Sequence, residues 1–270
     1  MAEPKFANTA LEKRLEAQIY RDYYTPSMFE WWLRHPYRRH TLAPFSRYLK
    51  SLAGKDSTVV EFASGAGVNL TLLKEAFPRL NCFGFDISAD GARVAKNLGK
   101  GSYWVGDAEE AAVRSGIADA VVLVSVVHHF WRNPEKLMNE VGRILKPGGF
   151  VLVLDPAADR RESFLTKAIT YLGMGLVVLD NRMKRGRVYE VEIPESDTEQ
   201  PLSSVKLLQL LSSWYPVLDS GRWEWVTYLA RHHEAGFHWA RIADLLIRRI
   251  DPRQLNLCYA IARKPLDSKD

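Results

Sequence analysis

Three short apolar runs in this chain each close on an acid: Val59-Val60-Glu61, Cys82-Phe83-Gly84-Phe85-Asp86 and Tyr103-Trp104-Val105-Gly106-Asp107. Runs of that length read as buried strands, so the acids Glu61, Asp86 and Asp107 are delivered to neighbouring strand ends that share one crevice. The first run continues through Phe62 into Ala63-Ser64-Gly65-Ala66-Gly67 and then into a helical stretch from Val68 to Phe77. Glycines at 65 and 67 remove side chains where backbone must approach a ligand. The first turn of the helix behind them offers unpaired N–H groups and a positive dipole end to a carboxylate or phosphate. A nucleotide-type ligand is the chemistry that such a crevice suits. Asp86 stands about twenty residues beyond the loop, where doubly wound folds place an acid to accept ribose hydroxyls, and Asp107 is then set to face an adenine amino group.

A nicotinamide-dependent dehydrogenase would use the same loop and the same first acid. Its fingerprint, however, wants a glycine or alanine three residues after the second glycine, where this chain has Leu70, and no Tyr-x-x-x-Lys pair occurs. These details favour S-adenosylmethionine. The chain resembles the class I, Rossmann-like S-adenosylmethionine-dependent methyltransferases over about residues 55–156. The resemblance rests on Glu61-Phe-Ala-Ser-Gly-Ala-Gly67, Gly84-Phe-Asp-Ile-Ser88, Gly106-Asp107-Ala108, the run from Asp119 to Phe130, and Ile144-Leu-Lys-Pro-Gly-Gly-Phe150 with the strand after it. It implies that Glu61 orients the glycine loop and the methionine amino end, with Ala63, Ser64, Gly65 and Gly67 passing along the methionine moiety. Asp86 is then expected at the ribose, Ile87 on the adenine face, Asp107 and Ala108 at its polar edge, and Ser125 and Val126 beside the sulfonium. Ala63 departs from the pattern, since the family most often has glycine there. The product expected is S-adenosylhomocysteine.

Methyl transfer from a sulfonium asks the protein to hold a nucleophile in line, exclude water and remove a proton where the acceptor has one. Histidine has the unperturbed pKa for that last task. His128 and His129 follow the fourth strand directly, where the family puts substrate-facing groups, and are the candidate bases; strand alternation would aim only one of them at the pocket. His232, His233 and His238 lie near Glu234 without a clear metal-ligand pattern, and no metal is expected.

Around this crevice the chain must supply walls. Leu11, Leu15, Ile19 and Tyr23 recur every four residues, predicting a helix over about 9–24; Thr25-Pro26 breaks it, and Ser27 is read as the cap of a second helix carrying Trp31 and Trp32. Pro36 interrupts that helix before a third from about Tyr37 to Leu52. By resemblance this prefix, residues 1–54, is a helical lid that lends Tyr20, Tyr23, Tyr24, Trp31 and Trp32 to the substrate pocket. Residues 55–270 form the cofactor-binding domain, with a cap inserted at about 157–220. Within the cap a helix is expected from Asp159 to Asp180, apolar on nearly all faces from Ala168 to Leu179; the readings open for it are a chamber wall, a membrane-surface contact, a subunit interface or simply a buried cap helix. A polar loop is expected over about 186–203, a helix from Val205 to Trp214, a sixth strand from Arg222 to Leu229, a helix from Trp239 to Ile250, and a reversed seventh strand from Leu255 to Ala262. The fold expected is therefore α/β: a Rossmann-like three-layer sandwich around a seven-stranded mixed sheet with its last strand reversed.

With 270 residues, 47% of them hydrophobic, the chain can bury the core of one elaborated domain. No run of about eighteen uncharged apolar residues occurs, and the first residues lack an apolar signal core, so a cytoplasmic location is expected. Cys82 and Cys258 read as reduced core thiols. The net charge of +5 is concentrated in Arg34 to His40 and Arg182 to Arg187, runs that ordinarily belong to solvated surface. The expected function is methyl transfer to oxygen or carbon of a small or medium-sized apolar or aromatic metabolite. Alternatives are an RNA acceptor, disfavoured by the lack of Asp/Asn-Pro-Pro-Tyr or a Pro-Cys nucleophile, an anionic lipid-linked acceptor, or a non-catalytic cofactor-binding scaffold. A homodimer is compatible with the chain.

Overall fold

The computed structural model describes residues 10–20, 23–189 and 200–266. Four short helices come first: α1 (Ala10–Ile19), α2 (Pro26–Arg34), α3 (Pro36–Thr41) and α4 (Ser46–Leu52). Strands and helices then alternate through β1 (Thr58–Phe62), α5 (Val68–Ala76), β2 (Asn81–Asp86), α6 (Ala89–Leu98), β3 (Ser102–Val105), β4 (Ala118–Val124), α7 (Pro134–Ile144) and β5 (Leu145–Pro156). The chain closes with α8 (Phe164–Met183), α9 (Ser204–Trp214), β6 (Val217–Trp223), α10 (Val226–Ala230), α11 (Phe237–Ile250) and β7 (Leu257–Arg263).

The strand order is β3-β2-β1-β4-β5-β7-β6, with β1 to β5 parallel and β7 antiparallel to both of its neighbours. The expected seven-stranded sheet with its reversed last strand is thus the architecture. The order changes direction between β1 and β4, and loops leaving the carboxyl ends of those strands must part there, opening the crevice. Alternate side chains divide into two cores. Val59, Val122 and Leu152 pack with α2 to α5 and with the α10–α11 segment, whereas Val60, Val121 and Val153 pack with α7 and α9. Each of these six is fully buried, which stabilises by about 1.5–3 kcal/mol per side chain.

Local chemistry moved several expected boundaries. Thr25, not Ser27, caps α2: its hydroxyl accepts from Met28 N at 3.2 Å, and Pro26 takes the first helical position, where its missing N–H costs nothing. Pro44 splits the expected third helix into α3, a single 3₁₀ turn and α4. The sixth strand is not Arg222 to Leu229. It ends at Trp223, because Glu224 turns the chain with φ +53° and the Asp244 carboxylate accepts the N–H groups of Trp225, Val226 and Thr227, capping α10 from another helix. The alternating Trp223, Trp225 and Thr227 had imitated a strand. Of the polar loop expected over 186–203, residues 190–199 lie outside the described residues.

Helix α8 begins at Ser163, whose side chain forms a reciprocal capping box with Thr166, later than expected. Its inner face packs on α11, where Gly173 lets the Ala243 methyl approach so closely that an added Cβ would sit 2.7 Å away. Its outer face leaves Phe164, Leu165, Tyr171, Leu172, Leu179 and Met183 exposed. No helix among the described residues is long and apolar enough to cross a membrane. Cys82 and Cys258 are buried and unpaired, and burial pushes both thiols up to about 11.

Candidate active site

A cavity of about 350 Å³ lies over the carboxyl ends of the strands, within the size range of small-molecule sites. One half is built by the glycine loop and the strand-end acids. Gly65, at φ +51°, cannot carry a side chain: a Cβ there would lie 2.8 Å from the Tyr24 ring. Ala63 adopts φ +49°, the left-handed region that glycine occupies without strain, which explains why glycine is the commoner residue there. Asp86 organises the loop by accepting Gly65 N at 2.7 Å and Ser88 N at 2.8 Å. Asp107 stands at the far side, paired with Lys13 of α1, whose Nζ is 2.5 Å from Asp107 and 2.6 Å from Glu109. Helix α1 is thereby fastened over this end.

Beneath the loop, Glu61 accepts from Asn69 Nδ2 at 2.7 Å, and burial raises its carboxyl from 4.5 to about 8. The second Glu61 oxygen and the Asn69 amide oxygen are buried with no hydrogen-bond partner. Two orphaned acceptors beside a cavity that Asn69 lines call for a ligand that donates, and an α-ammonium group meets that requirement. The methionine end of S-adenosylmethionine carries one, so the donor set fits that cofactor.

The other half lies over β4, β5 and β7. Ser125 follows β4 with φ +58°, and the chain then winds into a 3₁₀ turn over Val127–Phe130 instead of continuing as a strand. The alternation expected for His128 and His129 is therefore lost. Both line the cavity, with ring centroids 4.2 Å apart. The turn is held by Asp155, almost fully buried at the end of β5. Its carboxylate accepts Val126 N at 2.9 Å, Val127 N at 3.2 Å and His128 N at 2.9 Å, and lies 3.1 Å from His128 Nδ1. A carboxylate can only accept, so Nδ1 carries the proton and Nε2 is left as the basic nitrogen. The wall opposite is aromatic and cationic: Tyr20, Tyr23, Trp32, Tyr37 and Arg38 from the prefix, and Tyr228 and Arg231 from α10 and the residue after it.

Most of the residues singled out in the sequence meet at this cavity. Ala63, Ser64, Gly65, Asp86, Ile87, Asp107, Ala108, Ser125, His128, His129, Tyr20, Tyr23, Tyr24 and Trp32 line it. Four do not. Glu61 lies under the loop behind Asn69, Gly67 backs onto Tyr103, and Val126 is wholly buried with its N–H on Asp155. Trp31 points away and stacks on Tyr189 at 5.0 Å, because on a helix only one of two adjacent residues can face the cavity. Tyr24, expected at the substrate, rests instead on Gly65 and Gly91 at the acid end. Helix α8 forms no part of the lining; the prefix wall is completed instead by α10, between β6 and β7. Asp155, Arg38, Arg231 and Lys13 were missed. Asp155 had a signal, since Val151 to Leu154 is a fourth apolar run ending in an acid. Among the described residues no group of three or more His, Cys, Asp or Glu side chains is placed to hold a metal ion.

Residues 60–153 match a methyltransferase-domain family. A curated relative from Arabidopsis thaliana, a tRNA (carboxymethyluridine(34)-5-O)-methyltransferase, is 28% identical over 162 residues. The match covers 56% of this chain and 39% of that relative, so the chain spans about two-fifths of its length. In fold, the chain is similar to a methyltransferase of Haloferax volcanii solved in complex with the activator Trm112 (TM-score 0.55, 15% identity, 97% of this chain and 100% of that one). It is also similar to an S-adenosylmethionine-dependent methyltransferase of Thermotoga maritima (TM-score 0.53, 18% identity, 92% of this chain and 99% of that one).

Proposed function

We propose that this chain, a class I S-adenosylmethionine-dependent methyltransferase, transfers the methyl group to oxygen or carbon of a small or medium-sized aromatic or apolar metabolite. The observation that carries the reading is the division of one cavity into an acid-and-glycine half and an aromatic half, with His128 in the lining and Asp155 buried behind it. When bound, the cofactor supplies a methyl group already activated by a sulfonium. Glu61 and Asn69 would hold its ammonium, Asp86 its ribose, and Asp107 with Ala108 its adenine edge. Tyr20, Tyr23 and Trp32 exclude water and set the acceptor against Ser125. For a hydroxyl acceptor, His128 Nε2 would receive the hydroxyl proton as the oxygen becomes methylated. Asp155 keeps the ring in the tautomer that can receive it. His129 is the neighbouring candidate for the same role. The relative that modifies an oxygen on a uridine supports an oxygen acceptor.

The test is uptake of labelled methyl from S-adenosylmethionine by a metabolite extract, by RNA and by protein. Label in the small-molecule fraction that His128→Ala abolishes is expected; label confined to RNA or protein would overturn the reading.

One observation favours a second reading, an acceptor anchored in an anionic lipid surface. The exposed apolar face of α8 has exposed Arg161 at one end and exposed Arg182 and Arg185 at the other, while Lys167 and Lys184 share their charge with Glu162 and Asp180, an arrangement compatible with helices that lie in a membrane interface. Salt-sensitive sedimentation with phosphatidylglycerol vesicles, lost in Leu172→Glu, would support it. Concentration-dependent dimerisation without vesicle binding would assign that face to a second copy of the chain.

A further inference from the structure

The acceptor half of the cavity carries more positive charge than its own residues compensate. Arg38 projects from α3 and Arg231 follows α10, and both line the cavity. Neither guanidinium has a carboxylate within 4 Å among the described residues. Arg231 is only 9% exposed, and its single hydrogen bond among the described residues runs from Nη1 to the Tyr228 carbonyl at 2.5 Å. The Nε groups of Arg38 and Arg231 are buried with no acceptor, as is Trp32 Nε1. Aromatic faces hold the two guanidiniums in place: Arg38 Cζ lies 4.9 Å from the Trp32 ring and 5.9 Å from Tyr37, and Arg231 Cζ lies 3.7 Å from Tyr228. Stacking fixes the planes while leaving N–H edges to donate. Both arginines act electrostatically on the hydroxyls of Tyr23 and Tyr37, which places them in one neighbourhood.

The two guanidiniums and the Trp32 indole can only donate. Glu61 and Glu224 both act electrostatically on Arg38, but neither makes an ion pair with either arginine, and burial pushes each carboxyl up to about 8, so they remain largely protonated at neutral pH. Burying uncompensated guanidiniums is costly, and a sulfonium in the same cavity adds a further positive charge. An anion supplied by the ligand removes the conflict.

We propose that Arg38 and Arg231, with Trp32 Nε1, form a receptor for a carboxylate carried by the methyl acceptor. This inference rests on the small-molecule reading above and narrows it to aromatic or apolar acids. The carboxylate is the handle and not the methylated atom: two guanidiniums draw electron density from an oxygen pair they grip, which blunts it as a nucleophile. The atom that receives the methyl group is a hydroxyl oxygen or acidic carbon at the other end of the acceptor, beside His128. The three unmatched donors, Arg38 Nε, Arg231 Nε and Trp32 Nε1, fall within the acceptor capacity of the two oxygens of a carboxylate.

The experiment uses the full chain saturated with S-adenosylhomocysteine and reads binding of phenylacetate and indole-3-acetate by saturation-transfer NMR. Phenylacetamide and phenyl phosphate serve as matched probes. The carboxylates are expected to bind at least tenfold more tightly than the amide and more tightly than the phosphate. Arg38→Met and Arg231→Met should each weaken them at least tenfold, with S-adenosylhomocysteine affinity held within about twofold and partial recovery in Arg231→Lys. Equal binding of amide and carboxylate, preference for the phosphate, or indifference to both substitutions would overturn the proposal. Failure of the unmodified chain to bind S-adenosylhomocysteine would instead remove the reading on which it rests. If one substitution also abolishes that binding, the other variant and the amide comparison decide.

Discussion

Replacing Asp155 by asparagine should uncouple the His128 turn at almost no change in volume. The carboxylate receives four N–H groups, three from the backbone of Val126, Val127 and His128 and one from the His128 ring, at 2.9 to 3.2 Å. An asparagine keeps one accepting oxygen. It turns the other into a donor that must face an N–H group within the same buried site. Losing the charge from the remaining bonds and setting two donors against each other should cost about 3 kcal/mol, since bonds to charged groups contribute about 1.5–3 kcal/mol each and an unsatisfied buried donor about 1–3 kcal/mol. For a chain of this size that is a fall in Tm of roughly 6–12 °C. Urea unfolding at pH 7 measures the first figure and calorimetry the second. Methyl transfer should fall further than stability at temperatures where the variant is folded, because Ser125 and His128 ride on the same turn. A loss below about 1 kcal/mol would refute the claim that this carboxylate holds the turn.

Other perturbations test separate parts of the site. Burial lifts the Glu61 carboxyl to about 8, above its value of 4.5 in the unfolded chain, so the folded state binds the extra proton between those limits. The stability this group contributes is greatest below about pH 4.5 and falls as pH rises toward 8, with a slope approaching ~1.4 kcal/mol per pH unit that Glu61→Gln should remove. Cofactor binding should release a proton at pH 7, detectable as heat that varies with the buffer's ionisation enthalpy and vanishes in the same variant. Ala63→Gly relieves about 1–2 kcal/mol of left-handed strain, offset by the ~0.5–1 kcal/mol of entropy that glycine costs, and should raise stability by about 0.5–1 kcal/mol net, with cofactor affinity within about twofold; a fall in Tm would contradict the strain argument. Lys13→Met removes the tie from α1 to Asp107 and Glu109. Such a half-exposed pair is worth about 1 kcal/mol, so proteolytic nicking within α1 should quicken about fivefold, and the unmodified chain should approach that rate at high salt.

The parallel half of the fold was readable because its determinants are local. Glu61, Asp86 and Asp107 each close a short apolar run that forms a strand, buried for β1 and most of β2 and partly exposed for the edge strand β3, and Gly65 and Gly67 stand where backbone geometry demands them. His128 and His129 were found by position, but their shared orientation was not, since it depends on a carboxylate 27 residues further on that converts strand into 3₁₀ turn. Arg38 sits in a basic run that reads as solvated surface, and its neighbour Arg39 does lie exposed. Only tertiary packing of α3 against α10 separates the two roles. Glu224 and α10 escaped for a related reason: an alternating aromatic pattern suits a strand until Asp244, from a helix later in the chain, caps the segment as a helix instead.

Calorimetric titration with S-adenosylmethionine and S-adenosylhomocysteine, repeated on Asp86→Asn, tests the central claim most directly. The site geometry predicts micromolar binding of both ligands by the unmodified chain and at least tenfold weaker binding by a variant that remains folded. Absence of binding heat for either ligand across several temperatures, in a sample whose unfolding transition is intact, would contradict the assignment of this crevice to the cofactor.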